Sequence, residues 1–232
     1  MILKISKCLL ELKEQAAAMK ELETIPAPVR CAEASMILGK LYRYSNSKKL
    51  AIAAYKSVIQ RQPLAIEAIS RCLILGVGHV EISSWLTDGA NARASDMDNA
   101  NTNAVLQRIT TMLSALRVCD HTLFKEQYQY LIQFFPKNVW LLQKHAISLA
   151  QADYCEEALQ IFRQVRILDP AYLDGIHIYG VLLFEKGHNS ELSTLANDIL
   201  NGDSDHPSGW LLAAIFSQLK GEHDKAKRLV EK

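Results

Sequence analysis

Two short segments carry residue types that could bind a ligand. DMDNAN at 96–101 begins with two aspartates at the spacing of a calcium loop, in which carboxylate and amide oxygens ligate the ion. The glycine required at the sixth place is Asn101, and the glutamate required at the twelfth place is Gln107. GVGH at 76–79 begins like a dinucleotide fingerprint but lacks its later glycine. We therefore interpret both segments as structural, the first as a polar loop.

A third segment, DSDHP at 203–207, contains Asp203, Asp205 and His206, which could lie near a metal ion. A capped turn between two helices is the favoured interpretation. The seven histidines are scattered, without a His-Glu-x-x-His array or a neighbouring cysteine pair. No Gly-x-Ser-x-Gly elbow and no Gly-Lys-Ser/Thr phosphate loop occurs. The sequence therefore predicts no catalytic residue, metal or cofactor, and we expect a protein that is not an enzyme.

Composition narrows the classes of partner. The 232 residues are 49% hydrophobic and carry a formal net charge of +1, whereas a nucleic-acid-binding domain usually shows a strong basic face. The longest apolar stretches, such as residues 209–216, are too short to cross a bilayer. The five cysteines lie at least 23 residues apart, which is typical of a reducing compartment. We expect a soluble intracellular protein that binds neither nucleic acid nor membrane.

Apolar residues recur with the period of an α-helix along almost the whole chain. One stripe consists of Val105, Leu106, Ile109, Met112, Leu113 and Leu116. Convincing strand alternation is absent, and short breaks separate the helical segments. Neighbouring helices are therefore expected to pack as antiparallel hairpins.

Two of these predicted helices end in the same way. The first ends in Ala51, Tyr55, Val58 and Pro63, and the second, 107 residues later, in Ala158, Phe162, Val165 and Pro170. This offset is three 34-residue periods plus five residues, and a 34-residue period with these residue types is that of the tetratricopeptide repeat. The predicted fold is all-α, a right-handed tetratricopeptide superhelix (α-solenoid) of about six to seven helix pairs with incomplete end repeats.

The register, with each proline at position 32, divides the chain into a single array. The predicted repeats are 1–31 (partial), 32–65, 66–104 with a loop insertion, 105–138 (degenerate), 139–172, 173–206 and 207–232 (truncated). The five extra residues fall in the third repeat, where residues 87–103 are predicted to form an exposed loop. Because the last repeat ends inside its second helix, we expect the sequence to be a segment of a longer repeat protein.

The register also assigns packing roles. Position 8 holds a small residue because the two helices of a repeat approach closely there. Position 15 should hold a residue with a left-handed backbone conformation, which turns the chain after the first helix. Position 15 holds Asn46, Asp153, Gly187 and Gly221. The residues predicted to pack the repeats are Gly39, Tyr42, Ala51, Tyr55, Pro63, Ala146, Ala158, Phe162, Pro170, Gly180, Gly187, Trp210 and Ala226. The repeat at 105–138 departs, with Met112 at position 8 and Phe124 at position 20, so its packing must differ locally.

Partner binding is expected on the first helix of each repeat, which lines the concave groove of such arrays. The candidate partner-binding residues are Trp140, Gln143, Ile147, His177, Val181, Phe184, Lys40 and Arg43. Trp140 and Phe184 are the expected anchors because large aromatic side chains dominate interface energetics. The alternative is that several of these side chains pack against neighbouring repeats. The asparagines with which chaperone-binding tetratricopeptide domains clamp a terminal carboxylate are absent.

Two stretches resemble one particular family. LDPAYLDGIHIYGVLLFEKG at 168–187 is similar to a stretch of the subunit-seven family of the anaphase-promoting complex (the cyclosome). The similar residues are Leu168, Asp169, Pro170, Gly175, Tyr179, Gly180, Leu182, Leu183 and Gly187. QPLAIEAI at 62–69 resembles the Pro-Leu-Ala segment of the same family, and Ile25 and Pro26 fit it too.

The resemblance implies a non-catalytic scaffold in a multisubunit ubiquitin ligase of the cell cycle, located in nucleus and cytoplasm. It implies the other tetratricopeptide subunits of the complex as partners, and a second copy of the chain in a homodimer. A generic tetratricopeptide adaptor, such as a co-chaperone or transport module, is the alternative. The missing carboxylate clamp and the similarity at 168–187 weigh against that alternative.

Overall fold

The protein is all-helical wherever its structure is described. The computed structural model describes residues 2–91, 97–201 and 207–231, and these residues form fourteen α-helices and no β-strand. They divide into two compact units, Met1–Val118 and Cys119–Lys232. Within the described residues, no helix combines the length and the apolar character needed to span a membrane.

The first unit consists of helical hairpins followed by a long helix. Its helices are α1 (Ile2–Glu11), α2 (Gln15–Glu23), α3 (Ala32–Tyr44), α4 (Lys48–Arg61), α5 (Ile66–Ile74), α6 (His79–Asn91) and α7 (Met97–Val118). Helices α1 and α2 pack together, as do α3 and α4, and α7 packs against both α5 and α6. One core cluster of this unit contains Ala18, Leu22, Ala34, Leu38 and Leu41.

The second unit repeats the hairpin more regularly. Its helices are α8 (His121–Phe134), α9 (Val139–Gln151), α10 (Cys155–Leu168), α11 (Ile176–Glu185), α12 (Asn189–Asn201), α13 (Pro207–Leu219) and α14 (His223–Val230). Helix α8 packs against α9, α9 against α10, α11 against both α12 and α13, and α13 against α14. Phe162, Tyr179, Leu183 and Phe216 are among the large side chains of its core.

The predicted left-handed turns are present. Asn46, Asp153, Gly187 and Gly221 have φ angles of 57°, 64°, 74° and 77°. Cys119, one repeat before Asp153, has the same conformation with φ 57°, although cysteine gave no signal for it. Each of these residues follows the first helix of its repeat, where a left-handed residue lets backbone N–H groups close onto the last carbonyls of the helix. The prediction of left-handed turns at these positions is therefore confirmed.

The predicted packing residues fall into three groups. Gly39, Ala51, Tyr55, Ala146, Ala158, Phe162 and Gly180 are buried, Tyr42, Pro63, Trp210 and Ala226 are half-buried, and Pro170 and Gly187 are exposed. The last two residues do not pack the repeats, because both lie just outside helices. Pro170 follows the end of α10 at Leu168, and Gly187 supplies the left-handed turn after α11.

The prediction of an exposed loop over residues 87–103 is wrong for most of that segment. Helix α6 continues to Asn91 and α7 begins at Met97, while residues 92–96 lie outside the described part of the chain. The segment is polar, but it contains no proline, and it includes Ala90 and Ala100, alanine having the highest helix propensity of any residue type. The polar-loop interpretation of 96–101 is corrected with it, since 97–101 are helical.

Candidate interaction surfaces

One groove brings together several of the predicted partner-binding positions. His177 and Val181 of α11 lie beside Leu211 and Ile215 of α13 in a groove of about 490 Å³. The other lining residues are Ala214, Gln218, His223, Ala226, Lys227 and Val230. The lining is mostly aliphatic, and its charged group is the ammonium of Lys227. We call it the α11–α13 groove; its shape and lining suit an apolar side chain of a partner.

Gln143 is not a groove residue. Its side chain is buried, with 1% of its surface exposed, and its Oε1 atom has no hydrogen-bond partner. The amide lies so close to the backbone of Gly175 that a Cβ there would collide with Gln143 Nε2. Gly175 has a φ of 69°, which a residue without a Cβ adopts easily. The start of the next repeat therefore covers Gln143.

The other candidates in the second unit divide between core and surface. Ile147 and Phe184 are half-buried and pack against the core cluster of the unit. Trp140 is half-buried, with the Lys144 ammonium 5.8 Å from its ring centroid. Val181 is 38% exposed. The alternative interpretation, that several of these side chains pack inside the array, thus holds for Ile147 and Phe184 in part.

Lys40 and Arg43 lie in the first unit, on α3. Lys40 is exposed, and Arg43 is half-buried with its guanidinium carbon 5.5 Å from the centroid of the Tyr44 ring. A cation at this distance from an aromatic ring is held weakly, by about 0.5–1 kcal/mol at an exposed site. Both side chains remain available to a partner.

A polar clamp joins successive repeats in the second unit. Arg163 of α10 donates from Nε to Glu191 Oε1 at 2.9 Å and from Nη2 to Oε2 at 2.8 Å. The Tyr179 hydroxyl of α11 donates to the same carboxylate. Hydrogen bonding to Arg163 lowers the pKa of Glu191, and the same bond raises the pKa of Arg163, so both remain charged. We call these three residues the clamp.

The preceding junction, between α8 and α10, is open instead. A cavity of about 860 Å³ lies there, and side chains of α9 also line it. Its lining consists of His121, Thr122, Phe124, Lys125, Glu126, Gln129, His145, Ser148, Leu149, Ala152, Tyr154, Glu157, Gln160 and Ile161. We call it the α8–α10 seam.

His145 forms part of an aromatic stack beside this seam. Its ring centroid lies 4.1 Å from that of Tyr128 and 6.3 Å from that of Phe124, nearly parallel to both. Burial, and to a lesser extent the charge of Lys125, lowers the pKa of His145 to about 4. The imidazole is therefore neutral at physiological pH. His121 approaches Ser148 Oγ through Nδ1 at 3.2 Å.

The metal-binding segments considered in the sequence give no site that the structure describes. Asp203, Asp205 and His206 lie outside the described residues, as does Asp96. Elsewhere in the described chain, no group of three or more His, Cys, Asp or Glu side chains is arranged to hold a metal ion.

Sequence reasoning missed both the clamp and the seam. Arg163 and Glu191 occupy position 25 of one repeat and position 19 of the next, 28 residues apart. Comparing those two positions along the register would have revealed a cation facing a carboxylate. It would also have shown that the pair is Gln129 and Glu157 one repeat earlier.

These features define the class of protein: an all-α repeat protein of the tetratricopeptide type. No family model matches the chain. A tetratricopeptide repeat protein from Parabacteroides merdae ATCC 43184 superposes with a TM-score of 0.53 over 98% of this chain and 89% of its own, at 13% identity. The crystal structure of the APC/C hetero-tetramer Cut9-Hcn1 superposes with a TM-score of 0.67 over 97% of this chain and 44% of that chain, at 18% identity. Both similarities confirm the predicted fold.

The sequence relatives are more particular. Anaphase-promoting complex subunit 7 of Arabidopsis thaliana is 31% identical over 94% of this chain and 39% of its own length. The Homo sapiens protein of the same name is 25% identical over 96% and 39%. Anaphase-promoting complex subunit 3 of Dictyostelium discoideum is 26% identical over 50% and 12%. The predicted resemblance to subunit seven is therefore confirmed, and the chain spans about two fifths of the length of the subunit 7 proteins it matches.

The prediction of a non-enzymatic protein agrees with these similarities. The fold is that of tetratricopeptide proteins, and the named relatives are subunits of the anaphase-promoting complex.

Proposed function

We propose that this chain is a non-catalytic scaffold segment of the anaphase-promoting complex, a ubiquitin ligase of the cell cycle, where it binds other tetratricopeptide subunits. The observation that carries this proposal is the similarity to proteins named subunit 7 along 94% of the chain or more. A repeat array suits scaffolding because each repeat contacts its neighbours and the stack presents a long continuous surface. We further propose that the protein is located in the nucleus and the cytoplasm and that it forms a homodimer.

The α11–α13 groove and Trp140 are the proposed partner contacts. Val181 and Leu211 are 38% and 37% exposed, and such half-exposed aliphatic side chains lose water on binding at little cost in ordering. Trp140 offers a large aromatic surface beside the Lys144 ammonium. Several moderate contacts of this kind, spread along the array, would together give a stable association.

The test is affinity purification of the tagged natural protein from dividing cells. We expect stoichiometric recovery of the other subunits of the anaphase-promoting complex, with ubiquitin-ligase activity in the eluate. Recovery of chaperones or membrane-traffic proteins without those subunits would favour the generic adaptor instead. Analytical ultracentrifugation of the purified chain tests the homodimer, for which a monomer at all concentrations is the contrary result.

Trp140→Ala tests the contact surface. We expect it to reduce recovery of the partner subunits at least several-fold while leaving helicity nearly unchanged, because the side chain is only half-buried. Leu64→Ala is the matched control, since Leu64 is 70% exposed and lies between helices α4 and α5, outside the predicted groove positions. A large loss of helicity in Trp140→Ala would assign Trp140 to the core.

A further inference from the structure

The α8–α10 seam occupies the place where the next junction carries the clamp. Arg163, Tyr179 and Glu191 stand at position 25 of one repeat and at positions 7 and 19 of the following one. Thirty-four residues earlier, the same three positions hold Gln129, His145 and Glu157, and all three line the seam. The two junctions thus use the same three positions of the repeat but differ in the residues that occupy them.

The missing group is the guanidinium. At the closed junction, Arg163 reaches across from α10 to α12 and makes two parallel hydrogen bonds to one carboxylate, the arrangement that planar arginine matches best. At the seam, Gln129 is neutral and exposed, and neither it nor Glu157 makes a hydrogen bond or ion pair within the described residues. The carboxylate of Glu157 therefore has the position of Glu191 without its partner.

Another junction also has a cation at position 25. Lys56, at position 25 of the repeat 32–65, lies with its ammonium 4.9 Å from the ring centroid of Trp85 on α6. Helices α4 and α6 are in contact there. Cations at position 25 thus bridge two junctions between second helices, whereas the α8–α10 junction has the neutral Gln129 at that position.

The charges around the seam favour a cation. Its lining includes two carboxylates, Glu126 and Glu157, and one ammonium, Lys125. His145 is neutral at physiological pH because burial lowers its pKa to about 4. Leu149 and Ile161 offer apolar surface to a flanking side chain. Tyr154, which also lines the seam, is 57% exposed.

We propose that the α8–α10 seam is a docking site for an arginine side chain, flanked by apolar residues, on a short segment of a partner protein. The guanidinium pairs with Glu157 as Arg163 pairs with Glu191, and the flanking apolar side chain lies against Leu149 and Ile161. The partner segment thereby supplies the arginine at this junction, whereas at the next junction the chain supplies its own, Arg163. This inference concerns the isolated chain and does not depend on the proposed role in the anaphase-promoting complex.

The test uses the 232-residue chain and two capped pentapeptides, one with arginine between two leucines and one with glutamine in that place. Binding is followed through the backbone amide signals of the ¹⁵N-labelled chain. We expect the arginine peptide to shift amides of α8 and α10 and to bind at least tenfold more tightly than the glutamine peptide. No shift in either helix, or equal affinities for the two peptides, overturns the proposal.

Two variants identify the acceptor. Glu157→Gln removes the carboxylate, and Gln129→Arg supplies a guanidinium from the chain itself; each should weaken binding of the arginine peptide at least tenfold. Glu156→Gln is the matched control, because Glu156 is an adjacent exposed carboxylate that does not line the seam, and it should leave the affinity unchanged.

Retained binding in both seam variants refutes the assignment, as does an equal loss in the control. Circular dichroism of each variant checks the fold, and exposed positions such as 129 and 157 should tolerate these changes. Gln129→Arg has a second readout, since a closed junction should also raise the unfolding midpoint of the chain.

Discussion

Replacing Gly39 by alanine probes the closest approach of two helices in the first unit. A Cβ at Gly39 would lie 2.5, 2.6 and 2.9 Å from Cε1, Cζ and Cδ1 of Tyr55. These are atoms of one rigid ring that is 1% exposed, so the ring or the backbone must move. Overpacking of this kind costs about 1–3 kcal/mol, and alanine regains about 1 kcal/mol of helix propensity over glycine. We expect a net loss of about 1 kcal/mol, and at most about 2 kcal/mol, in the free energy of unfolding.

The assay is urea unfolding followed by the fluorescence of Trp85, which is 4% exposed and lies in the same unit as Gly39. The other two tryptophans, Trp140 and Trp210, are first changed to phenylalanine so that the signal reports the first unit alone. Gly78→Ala serves as the control, because nothing lies within 4 Å of a Cβ built there. Its midpoint should be unchanged or raised.

The expected cost comes from the Tyr55 ring, so a double-mutant cycle tests this cause. In a Tyr55→Leu background, Gly39→Ala should lose at least half of its cost, because the atoms it meets have been removed. An unchanged cost in that background, or a Gly39→Ala midpoint equal to the wild-type value, would refute the close approach.

Three further predictions concern the second unit. Glu191→Gln breaks the bidentate clamp and should lower the free energy of unfolding by up to about 1 kcal/mol, whereas Glu156→Gln should not; equal midpoints in urea would contradict this. The pKa of His145 is lowered to about 4 in the folded chain and is about 6.5 when unfolded, so the unfolded chain binds more protons between these values. Stability should therefore fall as pH drops from about 6.5 to about 4, by about 2 kcal/mol after allowance for partial exposure, and His145→Leu should flatten this dependence. Gly180→Leu should cost about 1–3 kcal/mol through overpacking, and an unaltered denaturation midpoint would reject the repeat register.

The features that the sequence predicts well are local. The helices follow from apolar spacing within about four residues, and the turns at Asn46 and Asp153 follow from residue types that tolerate a left-handed backbone. Cys119 adopts the same turn without such a preference, because the helices on either side of it fix its place. Its conformation could be inferred only from the 34-residue register.

The features that the sequence predicts poorly depend on distant contacts. Gln143 is polar and stands at a groove position, yet Gly175, 32 residues later, covers it. The segment 97–103 looks like a loop by polarity but extends α7, which packs on α5 and α6. Trp140 and Val181 remain predicted partner contacts, since the chain alone shows their exposure and not what binds them.

The boundary between the two compact units has a practical consequence for dissecting the protein. It falls between Val118 and Cys119, in the middle of the 105–138 repeat. The boundary between the packed units therefore does not coincide with a boundary between sequence repeats. A fragment cut between 104 and 105 would sever α7, and one cut between 138 and 139 would part α8 from α9. A cut between 118 and 119 leaves α7 with α5 and α6, and α8 with α9. Fragments for binding studies should therefore be designed on the packing and not on the repeat count.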